Sequence, residues 1–354
     1  MPTLSLDQYD IEIGPIGTKH MQWLEVQNFA GLAVLMDSNT SQHCRPLLEP
    51  LLAAFNPVYL EVPAGEQHKT IETCQSIWEQ LFQAGAGRNW CVLNLGGGVI
   101  GDMGGFCAGT YKRGIDFIQI PTTLLAQVDA SVGGKLGIDF YGVKNSIGLF
   151  RNPRAVWADP RFFATLSQRD LRSGFAELIT HALIADEAQR LELQQLTDLD
   201  AIDWASWVAR SVAIKQQIVA EDPHEKGLRK ALNFGHTIGH AVESYFLEST
   251  SPLLHGEAIA IGMICEAWLS QQLLGLPEKN LTAITQYFLS LYGHHPVPLN
   301  AQEQLLATMR QDKKNEDHRI NFSLLPAVGQ AKVNQTATAE QITRSLEYYN
   351  TLQA

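Results

Sequence analysis

The segment LNFGHTIGH, Leu232–His240, sets two imidazoles four residues apart, His236 and His240. Its apolar spacing predicts a helix, and a step of four residues overshoots one helical turn by about 40°, which puts both rings on one face. Such a pair suits a metal ion or a proton relay, and it equally suits two satisfied histidines on a buried face. Further along, LLHGEAIAIGM adds His255 beside Gly256, and upstream SGFAELITHAL carries Glu177 inside an apolar helical run. Two imidazoles and one carboxylate from separate helices form a donor set of zinc type that leaves a coordination position open for chemistry.

The second group with chemical meaning is cationic. Lys112 and Arg113 in TYKRG, Lys135 in VGGKLG, Lys144 in GVKNS, Lys215, Arg229 in GLRKALN, and Lys313 with Lys314 in QDKKN stand beside glycine, asparagine or the histidines. Any one of them reads as an ordinary surface charge. Together they predict a pocket for an anion bearing a phosphate and a carboxylate, groups that leave water only for charge-assisted hydrogen bonds. Asn145 and Asn233 are suited to orient hydroxyls. Asp129 fits a structural acid paired with a lysine, and it also fits a group holding a metal-bound water and a substrate hydroxyl.

Glycine marks a third site. Thirteen of the 28 glycines fall between Gly96 and Gly148, a density that implies tight turns and close backbone approach. Gly96-Gly97-Gly98-Val99-Ile100-Gly101 fits G-x-G-x-x-G after the apolar run WCVLNL. Backbone N–H groups at the start of a helix hold a pyrophosphate in that setting, although a packing turn has the same composition. The acid usual about twenty residues later is not obvious, and Asp37, ending GLAVLMD, is the candidate for a ribose contact instead. A nucleotide site that departs from the standard dinucleotide pattern follows.

The elements that must carry these groups divide in two. Alternating short apolar runs (GLAVLMD, VYLEV, WCVLNL, DFIQIP) and helical stretches (Ser41 to Ala54, and a stripe of Ile71, Cys74, Ile77, Trp78, Leu81 and Phe82) predict a parallel α/β sheet covered on both faces over residues 1–155. Residues 1–30 alternate as edge strands or a hairpin, and the glycine-rich stretch from Leu124 to Phe150 reads as loop-rich. From 156 to 354 the periodicity is helical, with one short hairpin at Arg319 to Thr336, and a packed hinge with a cleft is expected near 155. Ser167 and Asp170 open the helix of Glu177 like a capping box. A net charge of -11 argues against a nucleic-acid surface. Five scattered cysteines without C-x-x-C spacing fit a reducing compartment, and neither a signal peptide nor a membrane span is evident, so a cytoplasmic protein is expected.

Taken in order, GGGVIGDMGGFCAGTYKRG, IPTTLLAQVDASVGGKLGID, VKNSIGLF, SGFAEL, GLRKALNFGHTIGHAVE, LLHGEA and DKKN resemble the 3-dehydroquinate synthases within the sugar-phosphate cyclases, from about Asp37 to Asn315. The resemblance implies an NAD-binding α/β domain, a helical domain, a divalent metal (zinc, with cobalt as the alternative) and a homodimer. It implies Glu177, His236 and His255 as metal ligands and moves His240 from ligand to proton relay toward a departing phosphate. It sets Arg113, Lys144, Asn145 and Lys313 or Lys314 around the phosphate and ring oxygens, and Lys135, Lys215, Arg229 and Asn233 around the carboxylate and hydroxyls, with Asp129 central. Asp37, Glu66, Lys69, Gly97, Gly98, Asp102, Thr122, Thr123, Lys135, Lys144, Thr165 and Leu166 match nucleotide-binding positions. One position departs from the family: Thr180 stands where a lysine is usual, followed by His181.

The implied reaction converts 3-deoxy-D-arabino-heptulosonate 7-phosphate to 3-dehydroquinate and phosphate. It combines reversible oxidation by NAD, phosphate elimination, return of the hydride and intramolecular aldol closure, with no net redox change. Two alternatives share the parts: a cyclase for a neutral sugar phosphate, which has no carboxylate to bind, and a metal-dependent polyol dehydrogenase, which releases NADH. A non-enzymatic NAD-binding protein has no use for the metal ligands.

Overall fold

The structure is a computed structural model that describes residues 2–352 apart from 7, 142, 197, 200, 248 and 312–318. Lys313, Lys314 and Asn315 therefore lie outside the described residues. The chain forms two compact units, one of residues 1–167 with 203–216 and the other of residues 168–202 with 217–354.

In the first unit a hairpin of β1 (Thr3–Leu6) and β2 (Tyr9–Ile13) leads into α1 (Thr18–Gln27), so the hairpin expected over residues 1–30 covers only its first part. β3 (Gly31–Asp37) is followed by α2 (Ser38–His43) and α3 (Arg45–Leu52), then β4 (Val58–Val62) and α4 (Ile71–Gln83). The single helix expected over Ser41 to Ala54 is broken because Pro46 has no N–H to continue α2 but suits the first turn of a new helix. Next come β5 (Trp90–Gly96), α5 (Gly98–Thr110), β6 (Asp116–Pro121), β7 (Lys135–Phe140), β8 (Val143–Phe150) and β9 (Ala155–Ala158). Seven strands pair in the order β1-β2-β9-β6-β5-β3-β4, parallel except for β1 with β2. The sheet thus runs past residue 155, since β9 is an inner strand. Leu32, Val34, Leu93 and Ile118 meet α1 and α3 on one face, while Ala33, Leu35, Val92 and Phe117 meet α4 and α5 on the other. This two-sided burial explains the unbroken apolar strands.

The stretch read as loop-rich also carries β7 and β8, an antiparallel hairpin in which Gly137 and Gly148 face each other, and a side chain on Gly148 would strike the Leu136 carbonyl. One expectation fails here. On α4 the buried stripe is Cys74, Ile77 and Leu81, whereas Ile71 and Phe82 are exposed. The stripe is narrower because only that face meets the sheet.

The second unit is helical: α6 (Gln168–Ala185), α7 (Glu187–Leu193), α8 (Trp204–Glu221, whose first part belongs to the first unit), α9 (His236–Phe246), α10 (His255–Leu274), α11 (Glu278–Tyr292) and α12 (Gln302–Gln311). The expected hairpin follows as β10 (Asn321–Ala327) and β11 (Gln330–Thr336), before α13 (Ala339–Thr351). α10 is buried on nearly every side from Gly256 to Ser270, as an apolar helix at the centre of a bundle must be. No helix among the described residues is long and apolar enough to cross a membrane.

α9 runs antiparallel along α10, with Gly235 beside Gly262 and Met263, and Gly239 beside Ile259. A methyl on Gly262 would stand 1.9 Å from the Gly235 carbonyl oxygen, which belongs to backbone and cannot swing away. Gly262→Ala is therefore expected to destabilise the protein by at least about 1–3 kcal/mol, the usual cost of overpacking, measured by denaturant unfolding.

Candidate active site

Glu177 on α6, His236 at the start of α9 and His255 at the start of α10 meet in the second unit. His236 Nε2 lies 3.2 Å and His255 Nε2 3.4 Å from Glu177 Oε1. The other ring nitrogens fix the tautomers. His236 Nδ1 stands 3.1 Å from the Phe234 carbonyl oxygen, and His255 Nδ1 3.3 Å from Glu243 Oε2. Both partners only accept, so in the neutral rings each Nδ1 carries the proton and each Nε2 presents a lone pair. Glu177 Oε1 is itself a buried acceptor that no hydrogen-bond donor satisfies. Three lone pairs directed at one point repel unless a proton or a metal cation lies among them, and with Glu243 holding the His255 ring this donor set fits a divalent metal.

The electrostatics favour positive charge at the same point. Burial raises the Glu177 carboxyl, but the His236 and His255 imidazoles outweigh it and hold the carboxyl well below the usual carboxylate range. Burial likewise lowers His255, yet Glu243 and Glu177 push it up to about 10. His240, one turn along α9, sets its ring edge-on to His236 at 5.2 Å and lies 5.7 Å from His255. One ring nitrogen of each of the three histidines lies within 4.8 Å of the others, so the arrangement also admits His240 as a ligand. Glu177 makes the shorter approaches to His236 and His255.

The start of α10 is held against α6. Arg169 reaches both oxygens of Glu257, at 2.7 and 2.6 Å, and the Glu257 carboxylate accepts the Leu254 N–H at 2.7 Å, capping α10 beside His255. Thr180 is fully buried, with its hydroxyl donating to the Ala176 carbonyl at 3.0 Å and 3.2 Å from Met263 Sδ, so this position supplies no charge. Arg229 and Asn233 lie on the turn Leu228–Asn233, where Arg229 Nη1 donates to the Pro223 carbonyl and Asn233 Nδ2 to Glu225.

In the first unit β4 lies on one side of β3 and β5 on the other, so the chain reverses direction across the sheet between β3 and β5. Ligands of open α/β sheets bind at such a switch, outside the carboxyl ends of the strands. Asp37 ends β3, and Gly97 and Gly98 follow β5 at the start of α5, where no side chain caps the helix N–H groups. Asp37 Oδ1 is engaged, since it caps α2 through the Thr40 N–H at 2.8 Å. Thr122 and Thr123 follow β6 alongside: the Thr122 N–H donates to the Gly96 carbonyl, and a methyl on Gly97 would lie 3.1 Å from Thr123 Cγ2. Thr165 and Leu166 end the turn after β9.

Lys69, buried, joins two groups by donating to Asp102 on α5 at 2.7 Å and to the Asn145 side-chain oxygen at 2.6 Å. Burial alone would lower its pKa; Asp102 and Glu66 outweigh this and raise it, so Lys69 stays cationic. Lys144 lies 3.5 Å from Glu66. Asn145 adopts a left-handed backbone (φ 50°), held by its N–H on Asp139 Oδ1 at 2.8 Å. Asp129 sits in a π-helical turn, Ala126–Ala130, and its Oδ1 and carbonyl oxygen both accept from Lys215 at 2.5 Å, which is the pairing with a lysine. Lys135 opens β7. Arg113, exposed on the left-handed turn after α5, joins no ion pair among the described residues.

The comparisons with known proteins bear on both units. Family models for the N-terminal and C-terminal parts of 3-dehydroquinate synthase match residues 59–173 and 174–315. The chain is 44% identical over 321 residues to a 3-dehydroquinate synthase of Parabacteroides distasonis, covering 90% of this chain and 91% of the relative. It is 42% identical to that of Synechocystis sp., covering 80% of each. The chain belongs to the 3-dehydroquinate synthase family. It also resembles a 2-epi-5-epi-valiolone synthase from Streptomyces hygroscopicus solved with NAD+ and Zn2+ bound (TM-score 0.83, 26% identity, 99% and 98% of the two chains). A 2-deoxy-scyllo-inosose synthase complexed with carbaglucose-6-phosphate, NAD+ and Co2+ is similar too (TM-score 0.80, 25% identity, 96% of each chain). An iron-containing alcohol dehydrogenase at 15% identity and TM-score 0.72 shares the fold.

Sequence reasoning missed Glu243, Asp139 and the Arg169–Glu257 pair. Glu243 lies seven residues after His236, two turns along the same face of α9, which was the available signal. Glu243→Gln is expected to weaken Zn2+ binding about 10–100-fold, measured by chelator competition. A metal must displace the His255 proton below about pH 10, so wild-type affinity should fall with pH, approaching about tenfold per unit for one proton.

Proposed function

We propose that the chain is a zinc- and NAD-dependent lyase that converts 3-deoxy-D-arabino-heptulosonate 7-phosphate to 3-dehydroquinate and phosphate. The convergence of Glu177 with the Nε2 atoms of His236 and His255 carries this reading, because a non-enzymatic relative has no use for it. When bound, NAD and a divalent ion would supply reversible oxidation of the C5 hydroxyl to a ketone, and a ketone there acidifies the neighbouring C–H for elimination.

The chain's own residues bind and move protons. Glu177, His236 and His255 hold the ion. The helix start at Gly97 and Gly98 takes the pyrophosphate, with Asp37, Glu66, Lys69, Asp102, Thr122, Thr123, Lys135, Lys144, Thr165 and Leu166 lining the nucleotide. Lys144 and Asn145, with Arg113 and Lys313 or Lys314, bind the phosphate and ring oxygens. Lys135, Lys215, Arg229 and Asn233 bind the carboxylate and hydroxyls, and Asp129, tied to Lys215, holds a hydroxyl at the centre. His240, beside the ligands, relays a proton toward the leaving phosphate. Arg229 with Asn233 favours the acidic substrate over a neutral sugar phosphate, although Thr180 withdraws one cation from the family's usual set. The family resemblance supports a homodimer, and five free, buried cysteines support a cytoplasmic setting.

The test is phosphate release from the heptulosonate phosphate by zinc-loaded protein with catalytic NAD, followed with absorbance near ~340 nm, the general band of NADH. Phosphate release without NADH accumulation is expected. Accumulating NADH would identify a polyol dehydrogenase, and turnover confined to sedoheptulose or hexose phosphates would identify a neutral-substrate cyclase. His255→Ala should abolish metal retention and turnover while leaving the circular dichroism spectrum unchanged.

A further inference from the structure

α9 begins without a cap of its own. Gly235, in the left-handed region at φ 83°, precedes His236 and has no side chain to accept the first N–H groups of the helix. A methyl there would stand 2.2 Å from Met263 Cγ, so α10 occupies the space a capping side chain would need. The acceptor comes instead from α10. Glu266, fully buried, takes the Gly235 N–H on Oε2 at 2.7 Å and the Thr237 and Ile238 N–H groups on Oε1 at 3.0 and 3.1 Å. An ionised carboxylate is costly to bury, and three backbone donors at the positive end of a helix are the arrangement that offsets that cost.

The bracketed residue is His236. Its neighbours on both sides are fixed to one carboxylate, and α9 is tied to α10 again two turns on, where Glu243 meets His255. Gly235, Gly239 and Gly262 let the helices approach closely, and the Met263 and Ile259 side chains of α10 lie against Gly235 and Gly239. Glu266 adds directional hydrogen bonds from α10 to the first turn of α9, which resist sliding of one helix along the other.

We infer that Glu266 is a positioning residue for the metal site: it sets the axial register of α9 on α10 and with it the distance of His236 from Glu177 and His255. The inference rests on the metal reading above and assigns Glu266 a role that the site residues alone do not reveal. Glu266 accepts from the backbone of α9 and is not among the proposed ligands, so its effect should appear in metal affinity.

The experiment is chelator competition for Zn2+ with the full chain, comparing wild type, Glu266→Gln and Glu266→Asp, with thermal melts of metal-loaded and metal-free protein alongside. Glutamine keeps the shape but turns an N–H2 group toward backbone donors, and aspartate keeps the charge on a shorter arm. The expected result is Zn2+ affinity lowered at least about tenfold in Glu266→Gln and partly restored in Glu266→Asp, with the metal-induced rise in Tm reduced in the same order. If Glu266→Gln does not fold, a weakened Zn2+ affinity in Glu266→Asp carries the test. A variant that melts earlier in both forms yet binds Zn2+ as wild type does would give Glu266 a purely structural role and overturn the inference. Wild type that binds no Zn2+ would overturn the metal reading, and the inference with it.

Discussion

Three electron pairs aimed at one buried point are the constraint on which the second unit depends. With both imidazoles neutral, Glu177 Oε1 and the Nε2 atoms of His236 and His255 are three acceptors sharing one space, and only a proton or a metal cation among them relieves the conflict. The Phe234 carbonyl and Glu243 hold both rings in the tautomer that creates the conflict. A divalent ion resolves it. The surrounding architecture serves this convergence: α10 is the buried axis, glycines let α9 come close to it, and the Arg169–Glu257 pair fixes the end that bears His255.

The first unit solves a different problem with backbone. Its sheet reverses order between β3 and β5, and Asp37, Gly97, Gly98, Thr122 and Thr123, among the residues matched to nucleotide binding, fall at the carboxyl ends of β3, β5 and β6. Lys69 joins that set to the hairpin of β7 and β8, because one ammonium group serves both Asp102 and Asn145. A change at Asp102 would thus reach Asn145 through a shared donor. Asp139 adds stiffness, holding Asn145 in a left-handed backbone that asparagine tolerates better than most residues.

What the sequence made legible had either a period or a chemistry. The parallel strands were visible as apolar runs, and the metal ligands as two imidazoles and a carboxylate inside amphipathic helices. The hairpin of β7 and β8 was hidden because glycine masks alternation, and the break at Cys44 because the apolar period continues across Pro46. Glu243, Glu257, Glu266 and Asp139 escaped for a common reason: a carboxylate in a helix or strand reads as a solvent-facing residue until a donor from a distant element is seen against it. Thr180 is the opposite case. Its departure from the family was plain in the sequence, but its inward hydrogen bond to Ala176 was not.

The ligand set is the centre of this account, and His240 lies near enough to compete for it. X-ray absorption spectroscopy at the zinc edge, on the zinc-loaded chain without substrate, tests it most directly. The account predicts two imidazoles, one carboxylate oxygen and further light-atom ligands, with a spectrum unchanged in His240→Ala. A third imidazole in the wild type that disappears in His240→Ala would make His240 a ligand and contradict both the proposed metal site and the proton relay.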